Sequence, residues 1–145
     1  MTLESMELEV VVPTEIQIAD LYWQLSNRNK NISHSYLPKY EDHEIFVANH
    51  PYRAWFIIKK KNVSMGNVYI QYDNSIGLNC VDELGELQIK NILNLVTTDF
   101  QPLDAVPSVR VNKFFLNVAA SNIQLQEKLK NLGLVESQRS FIYEK

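Results

Sequence analysis

The stretch Phe115-Leu-Asn-Val-Ala-Ala-Ser-Asn-Ile-Gln-Leu-Gln-Glu-Lys-Leu-Lys-Asn-Leu-Gly133-Leu134 carries the reading of the fold. Phe114 to Ala119 is aromatic, aliphatic and small, the composition of a buried strand. Asn122 then opens a helix in which Leu125, Leu129 and Leu132 form one apolar stripe. Gly133 ends it, because glycine takes up the left-handed backbone of a helix terminus at little steric cost. Ser121 with Gln124 three residues later is an acceptable capping box for the same helix. Leu134 to Tyr143 reads as a closing strand.

Outward from there, the N-terminal side supplies the rest of an α/β domain. Leu8 to Val12 is a β-branched run stopped by Pro13. Thr14 to Asn27 places Ile18, Leu21, Tyr22 and Leu25 on one helical face. A polar and aromatic loop, Asn27 to Leu37, leads to a second helix with Pro38 at its first position and Glu41 and Asp42 near its positive end. Ala54 to Lys60 and Val63 to Tyr72 make an antiparallel hairpin, and Ser75 to Val81 follows the Asp73-Asn74 turn. Ile89, Ile92, Leu93 and Val96 mark a third helix. The expected order is β-α-α-β-β-β-α-β-α-β: one domain over residues 1–145, with a central mixed, mostly antiparallel sheet flanked by helices.

Composition narrows the function classes. A hydrophobic share of 46% and a charged share of 21% belong to a globular chain with a core. A net charge of -3 gives no electrostatic reason to expect nucleic acid. The basic run Lys59-Lys60-Lys61 reads as a solvated hairpin tip. No run of about 18 apolar residues suggests a membrane span. The acidic N-terminus does not read as a secretory leader. One cysteine, Cys80, permits no internal disulfide, so the expected compartment is the cytoplasm. His34, His43 and His50 have no compact ligand spacing, so no metal site is expected.

The segment 115–134 resembles the strand–Asn–helix–Gly unit of the GNAT superfamily of N-acetyltransferases. Leu116-x-Val118 is similar to that family's L-x-V strand, Asn122 to its helix-opening Asn, and Leu132-Gly133-Leu134 to its Leu-Gly-Phe. Met65-Gly66 stands where the family often has Ile-Gly. The resemblance implies acetyl-CoA, or another acyl-CoA, as co-substrate, and a small amine or amino sugar as acceptor. A homodimer is a further expectation. It also implies an acyl-CoA slot between splaying strands, formed by Leu78, Asn79, Cys80, Val81, Asn117 and Asn122, with Gly85 in the phosphate loop.

Two departures from the family pattern are plain. The phosphate loop there reads Q/R-x-x-G-x-G/A, whose glycines bring backbone N–H groups to the pyrophosphate. Here Cys80-Val-Asp-Glu-Leu-Gly-Glu-Leu-Gln88 keeps one glycine, Gly85, and carries Asp82, Glu83 and Glu86. The acids also suit a helix start, with Asp82 as N-cap. Leu129 occupies the place of a tyrosine that protonates the leaving thiolate in the family, and leucine has no proton to give.

For the acceptor side, His34 is the candidate general base, because its ordinary pKa lies near working pH. An exposed loop histidine is the plainer alternative. Tyr36 would stack on or hydrogen-bond an acceptor, or simply pack. Tyr69, Gln71 and Asp73 alternate and so share a face, with Tyr69 a substrate contact and Asp73 a weak catalytic candidate if that face is the cleft. Arg53 would meet an anionic acceptor group, or else lie at a strand edge in solvent. Two functions remain open: an acyl-CoA-dependent N-acyltransferase, or a binding module of the same fold without turnover.

Overall fold

The computed structural model describes residues 5–27 and 37–145. The elements are β1 (Met6–Val10), α1 (Glu15–Asn27), α2 (Tyr40–Ala48), β2 (Ala54–Lys60), β3 (Val63–Ile70), β4 (Ser75–Cys80), α3 (Glu86–Thr98), β5 (Phe115–Leu116) and α4 (Ile123–Asn131). The strands lie in chain order across one sheet. Every pairing is antiparallel except the parallel contact of β4 with β5.

Both faces of this sheet are covered, and strand alternation divides the core between them. On β2, Trp55 and Ile57 face a cluster with Ile18 and Leu21 of α1 and Val47 of α2. Phe56 and Ile58 face the opposite cluster, where Ile89, Ile92 and Val96 of α3 meet Leu129 of α4. The lysine run does end at a hairpin tip, where Lys61 and Asn62 both hold positive φ. Two such residues give a tight turn whose twist matches the flanking strands. Among the described residues no helix is long and apolar enough to cross a membrane.

Asn74 fixes the far end of the sheet. It is buried with φ of 74°, a conformation asparagine tolerates better than most residues. Its Nδ2 donates to the carbonyls of Leu103 (2.9 Å) and Val111 (2.7 Å), and its Oδ1 accepts from Leu103 N–H at 2.8 Å. The long loop before β5 is thereby tied to the β3–β4 turn. Phe115 N–H in turn donates to the Asn74 carbonyl at 3.3 Å, which starts the β4–β5 pairing.

Three expectations need correction. The strand expected over Phe114 to Ala119 pairs only at Phe115 and Leu116. Past that point the carbonyls of Ala119 and Ala120 accept from the Gln126 side chain, and Ala119 also from Asn122 N–H, so they serve α4 and not a ladder. The closing strand over Leu134 to Tyr143 is not formed. Aromatic and branched residues favour a strand only where an edge receives them, and residues 135–145 lie exposed. The cap of α4 is Asn122, whose side chain accepts from Leu125 N–H, and not Ser121. Gly133, at φ of 94°, ends that helix as its sequence requires.

Candidate functional site

Because β5 leaves β4 after two residues, a gap opens between them. The Gln71 N–H donates to the Ser75 carbonyl and the Val81 N–H to the Met65 carbonyl. Those bonds, with the register Tyr69↔Gly77 and Asn67↔Asn79 between them, commit the odd-numbered β4 residues to β3. The backbone N–H and C=O of Leu78 therefore point the other way, into the gap, where no β5 residue pairs with them. That is an edge able to grip an extended, amide-bearing ligand as a strand would.

The gap opens into two adjoining hollows that share Leu78, Asn79, Asn122 and Leu125. The wider, of about 490 Å³, reaches between the sheet and α1 and α2. Its walls carry Phe46, Tyr52, Trp55 and Tyr69, with the amides Asn67, Gln71, Asn79 and Asn117. Tyr52 and Tyr69 stack at 3.9 Å and 8°. The Tyr69 ring lies so close over Gly77 that a Cβ there would sit 2.0 Å from it, so only glycine admits the ring. Asp42 brings a carboxylate to this hollow, and no lysine or arginine lines it among the described residues.

His43, which the sequence reading passed over except as one of three histidines, is a candidate for this site. It lines the wider hollow yet is only 3% exposed. Its Nε2 lies 3.0 Å from the Ile18 carbonyl oxygen. A carbonyl can only accept, so Nε2 carries the proton and Nδ1 keeps its lone pair in the neutral ring. Burial holds the His43 pKa below its ordinary value, opposed by the Ile18 hydrogen bond and the charge of Glu44. The rings of Tyr22 and Tyr40 flank it at 5.2 and 6.3 Å. The spacing of Tyr40, His43 and Val47 on one helical face was the available signal.

The narrower hollow, of about 230 Å³, lies where the phosphate loop was expected and is lined by Cys80, Val81, Asp82, Glu83 and Lys128, among others. Of the acids in and beside it, Glu83 and Glu86 are answered by α4. Lys128 Nζ lies 2.7 Å from Glu83 Oε1 and 2.6 Å from the Leu84 carbonyl, and Asn131 Nδ2 donates to Glu86 Oε1 at 2.7 Å. The cap of α3 is Gly85, three residues later than the expected Asp82. The Gly85 N–H is spent on Gln88 Oε1 at 3.0 Å, so it does not face a phosphate. The gap thus offers an unpaired backbone edge to an extended ligand, and the narrower hollow beside it offers Lys128 in place of a glycine cradle.

Of the residues singled out from sequence, Leu78, Asn79, Cys80, Val81, Asn117, Asn122 and Tyr69 line these hollows. Gly85 does not, for the reason just given. Asp73 is exposed in the β3–β4 turn and accepts from Ser75 N–H at 2.8 Å, outside the lining; the strand ends at Ile70, before the alternation reaches it. Arg53 donates to the Gln101 carbonyl at 2.9 Å and lies over Phe100, so it holds a loop away from the hollows. His34 and Tyr36 fall outside the described residues. Leu129 is a core residue, as its stripe implied, while Leu125 one turn earlier reaches both hollows.

Comparison with solved structures gives the architecture its name. The aminoglycoside N-acetyltransferase AAC(6')-Iy in complex with CoA superposes with a TM-score of 0.58 over 99% of this chain and 97% of its own, at 12% identity. The chain has the GNAT acetyltransferase fold. A dodecameric spermidine N-acetyltransferase from Vibrio cholerae matches at 0.57 and 13% identity, covering 92% of this chain and 81% of its own. A possible acetyltransferase from Clostridium difficile 630 matches at 0.54 and 11% identity, covering 98% of both. Neither a protein-family model nor a curated protein matches the sequence.

Proposed function

We propose that this GNAT-fold chain is an acyl-CoA-dependent N-acyltransferase, in the first instance an N-acetyltransferase, acting on a small cationic amine or amino sugar. The observation that carries the reading is the β4–β5 gap, with the Leu78 backbone turned into it, opening directly on an aromatic and amide-lined hollow whose acid is Asp42. Solved proteins of the same architecture acetylate aminoglycosides and spermidine according to their names, which are amines of this kind.

When bound, acyl-CoA supplies an acyl group already activated as a thioester. The chain's own part is then positioning and proton management. The Leu78 N–H is suited to polarise a carbonyl oxygen held in the gap. Asp42 and the faces of Tyr52, Trp55 and Tyr69 attract a protonated amine electrostatically. The bound ammonium first gives one proton to water, which frees its lone pair; His43, neutral with Nδ1 unprotonated, takes the second proton from nitrogen as the new C–N bond forms and the C–S bond breaks. Leu129 gives the departing sulfur no proton, so water supplies it.

A second reading has its own support. The occupied Gly85 N–H and the Glu83–Lys128 pair favour a module that does not take up acyl-CoA. A thermal-shift titration with acetyl-CoA separates the two. Ligand at about 100 times its dissociation constant stabilises a fold by about 2.7 kcal/mol. Saturable stabilisation supports the transferase. A melting temperature unmoved by acetyl-CoA and longer acyl-CoAs supports the module.

A further inference from the structure

Among the described residues, two buried side-chain atoms have no hydrogen-bond partner, Gln24 Nε2 and Ser75 Oγ. Gln24 stands outside the lining of the wider hollow. Its Oε1 accepts from Asn67 Nδ2 at 2.8 Å, and Asn67 Oδ1 accepts from the Trp55 indole at 3.0 Å. Ser75 lines the hollow itself. Folded chains pair nearly every buried polar group, so an idle hydroxyl on a cavity wall calls for a partner from outside the chain.

The surroundings of Ser75 are held in place and do not answer it. Its N–H donates to Asp73 Oδ1 at 2.8 Å, and its carbonyl accepts from Gln71 N–H at 2.9 Å. Ser75 and Gly77 share one face of β4. The Tyr69 ring above Gly77 is fixed there by Tyr52 stacked upon it. Gln71 and Asn117 bring amides to the same hollow. Hydroxyl and amide groups both donate and accept, and neither carries charge. Asp42 is the one acid of the lining among the described residues. One carboxylate balances one ammonium, so a polycation would leave further charges against neutral groups.

We infer that Ser75, with Gln71 and Asn117 beside it, is a subsite for a hydroxyl group of the acceptor. The acceptor is then a singly charged, hydroxylated amine and not a linear polyamine. This narrows the acceptor reading given above and rests on it, though the subsite itself needs no acyl-CoA. Three residues along β4 separate Ser75 from Leu78, roughly 10 Å. One six-membered ring covers that span, with a hydrogen bond to Ser75 at one end and the reacting nitrogen at the other.

Calorimetric titration of the native chain with glucosamine, cyclohexylamine and spermidine, with CoA present and absent, tests this apart from turnover. Glucosamine is expected to bind about tenfold more tightly than cyclohexylamine, the worth of one or two hydrogen bonds. It is also expected to bind more tightly than spermidine. Ser75→Ala removes a hydroxyl that no protein group meets, so the melting temperature should hold or rise while the preference for glucosamine disappears. A serine with only a structural role would instead lower the melting temperature and leave the preference intact. Equal binding of glucosamine and cyclohexylamine, tighter binding of spermidine, or no binding of any of the three overturns the proposal. A preference that survives Ser75→Ala overturns it equally. Glucosamine bound with this preference yet never acetylated supports the subsite and contradicts the transferase reading.

Discussion

Lys128 on α4 and Glu83 in the loop before α3 lie 2.7 Å apart, so the cation at the narrow end of the gap is already neutralised by the acid beside it. This changes what the acids of that loop mean. Read alone, each repels a phosphate, but Glu83 is compensated and its removal frees a positive charge.

Glu83→Gln should therefore tighten acetyl-CoA binding and make it more sensitive to salt. The pair is partly exposed, and such pairs are worth only about 0.2–1 kcal/mol, so the gain is at most about fivefold. Lys128→Met should weaken binding and flatten the salt dependence. Isothermal titration at two ionic strengths reads both. Equal affinities in all three proteins would mean that the phosphates do not approach this loop.

His43 gives the chain a pH dependence of definite sign. Its folded pKa, like that of His50, is lowered by burial, so the folded state favours the neutral ring. The associated stability is fully present above the ordinary imidazole value near 6.5 and is lost as pH falls from there through the lowered value. Activity should follow the same course, level from neutrality upward and failing on acidification. Asp42, Glu44, Tyr22 and Tyr40 are the titratable groups nearest His43 in sequence or in ring contact. His43→Gln should lower kcat by about 10²–10⁴-fold and remove the acid limb from the pH profile. An unchanged profile would take His43 out of the chemistry.

Gly77→Ala tests the packing behind the acceptor wall. Its Cβ would meet the Tyr69 ring, which Tyr52 blocks on the other side, so the ring must move or the sheet must give. Overpacking of this kind costs about 1–3 kcal/mol. The melting temperature should fall, and KM for the acceptor should rise more than KM for acetyl-CoA. Tyr69→Phe keeps the ring and should leave stability nearly unchanged.

Asn74→Ala should be among the most damaging single substitutions. It removes three part-buried hydrogen bonds to backbone groups of the long loop, each worth about 0.5–1.5 kcal/mol net. It also places alanine at positive φ. Chemical denaturation measures the loss, which should far exceed that of Asn94→Ala on the surface of α3.

What the sequence disclosed follows from how local its signals are. The Asn122-to-Gly133 helix and the Ala54–Lys60 strand were legible because periodicity and caps act over a few residues. The splay was legible only through the family resemblance. Its physical cause, Asn74 gripping a loop some thirty residues later in the chain and Gln126 taking the Ala119 carbonyl, is tertiary. The closing strand was misread because strand propensity does not reveal whether an edge lies within reach. His43 escaped because its meaning rests on the Ile18 carbonyl of another helix. The Glu83–Lys128 pair was not legible because its two members come from separate parts of the chain.

The central claim is that the β4–β5 gap presents an acyl thioester to an amine beside His43. Incubating the native chain with acetyl-CoA and a panel of small cationic amines and amino sugars, and quantifying N-acetylated product by mass spectrometry alongside released CoA thiol, tests it most directly. The account predicts product and thiol in equal amounts for at least one cationic acceptor, with the rate falling sharply in His43→Gln. Thiol release no faster than without protein, with no acetylated amine across the panel, would contradict it.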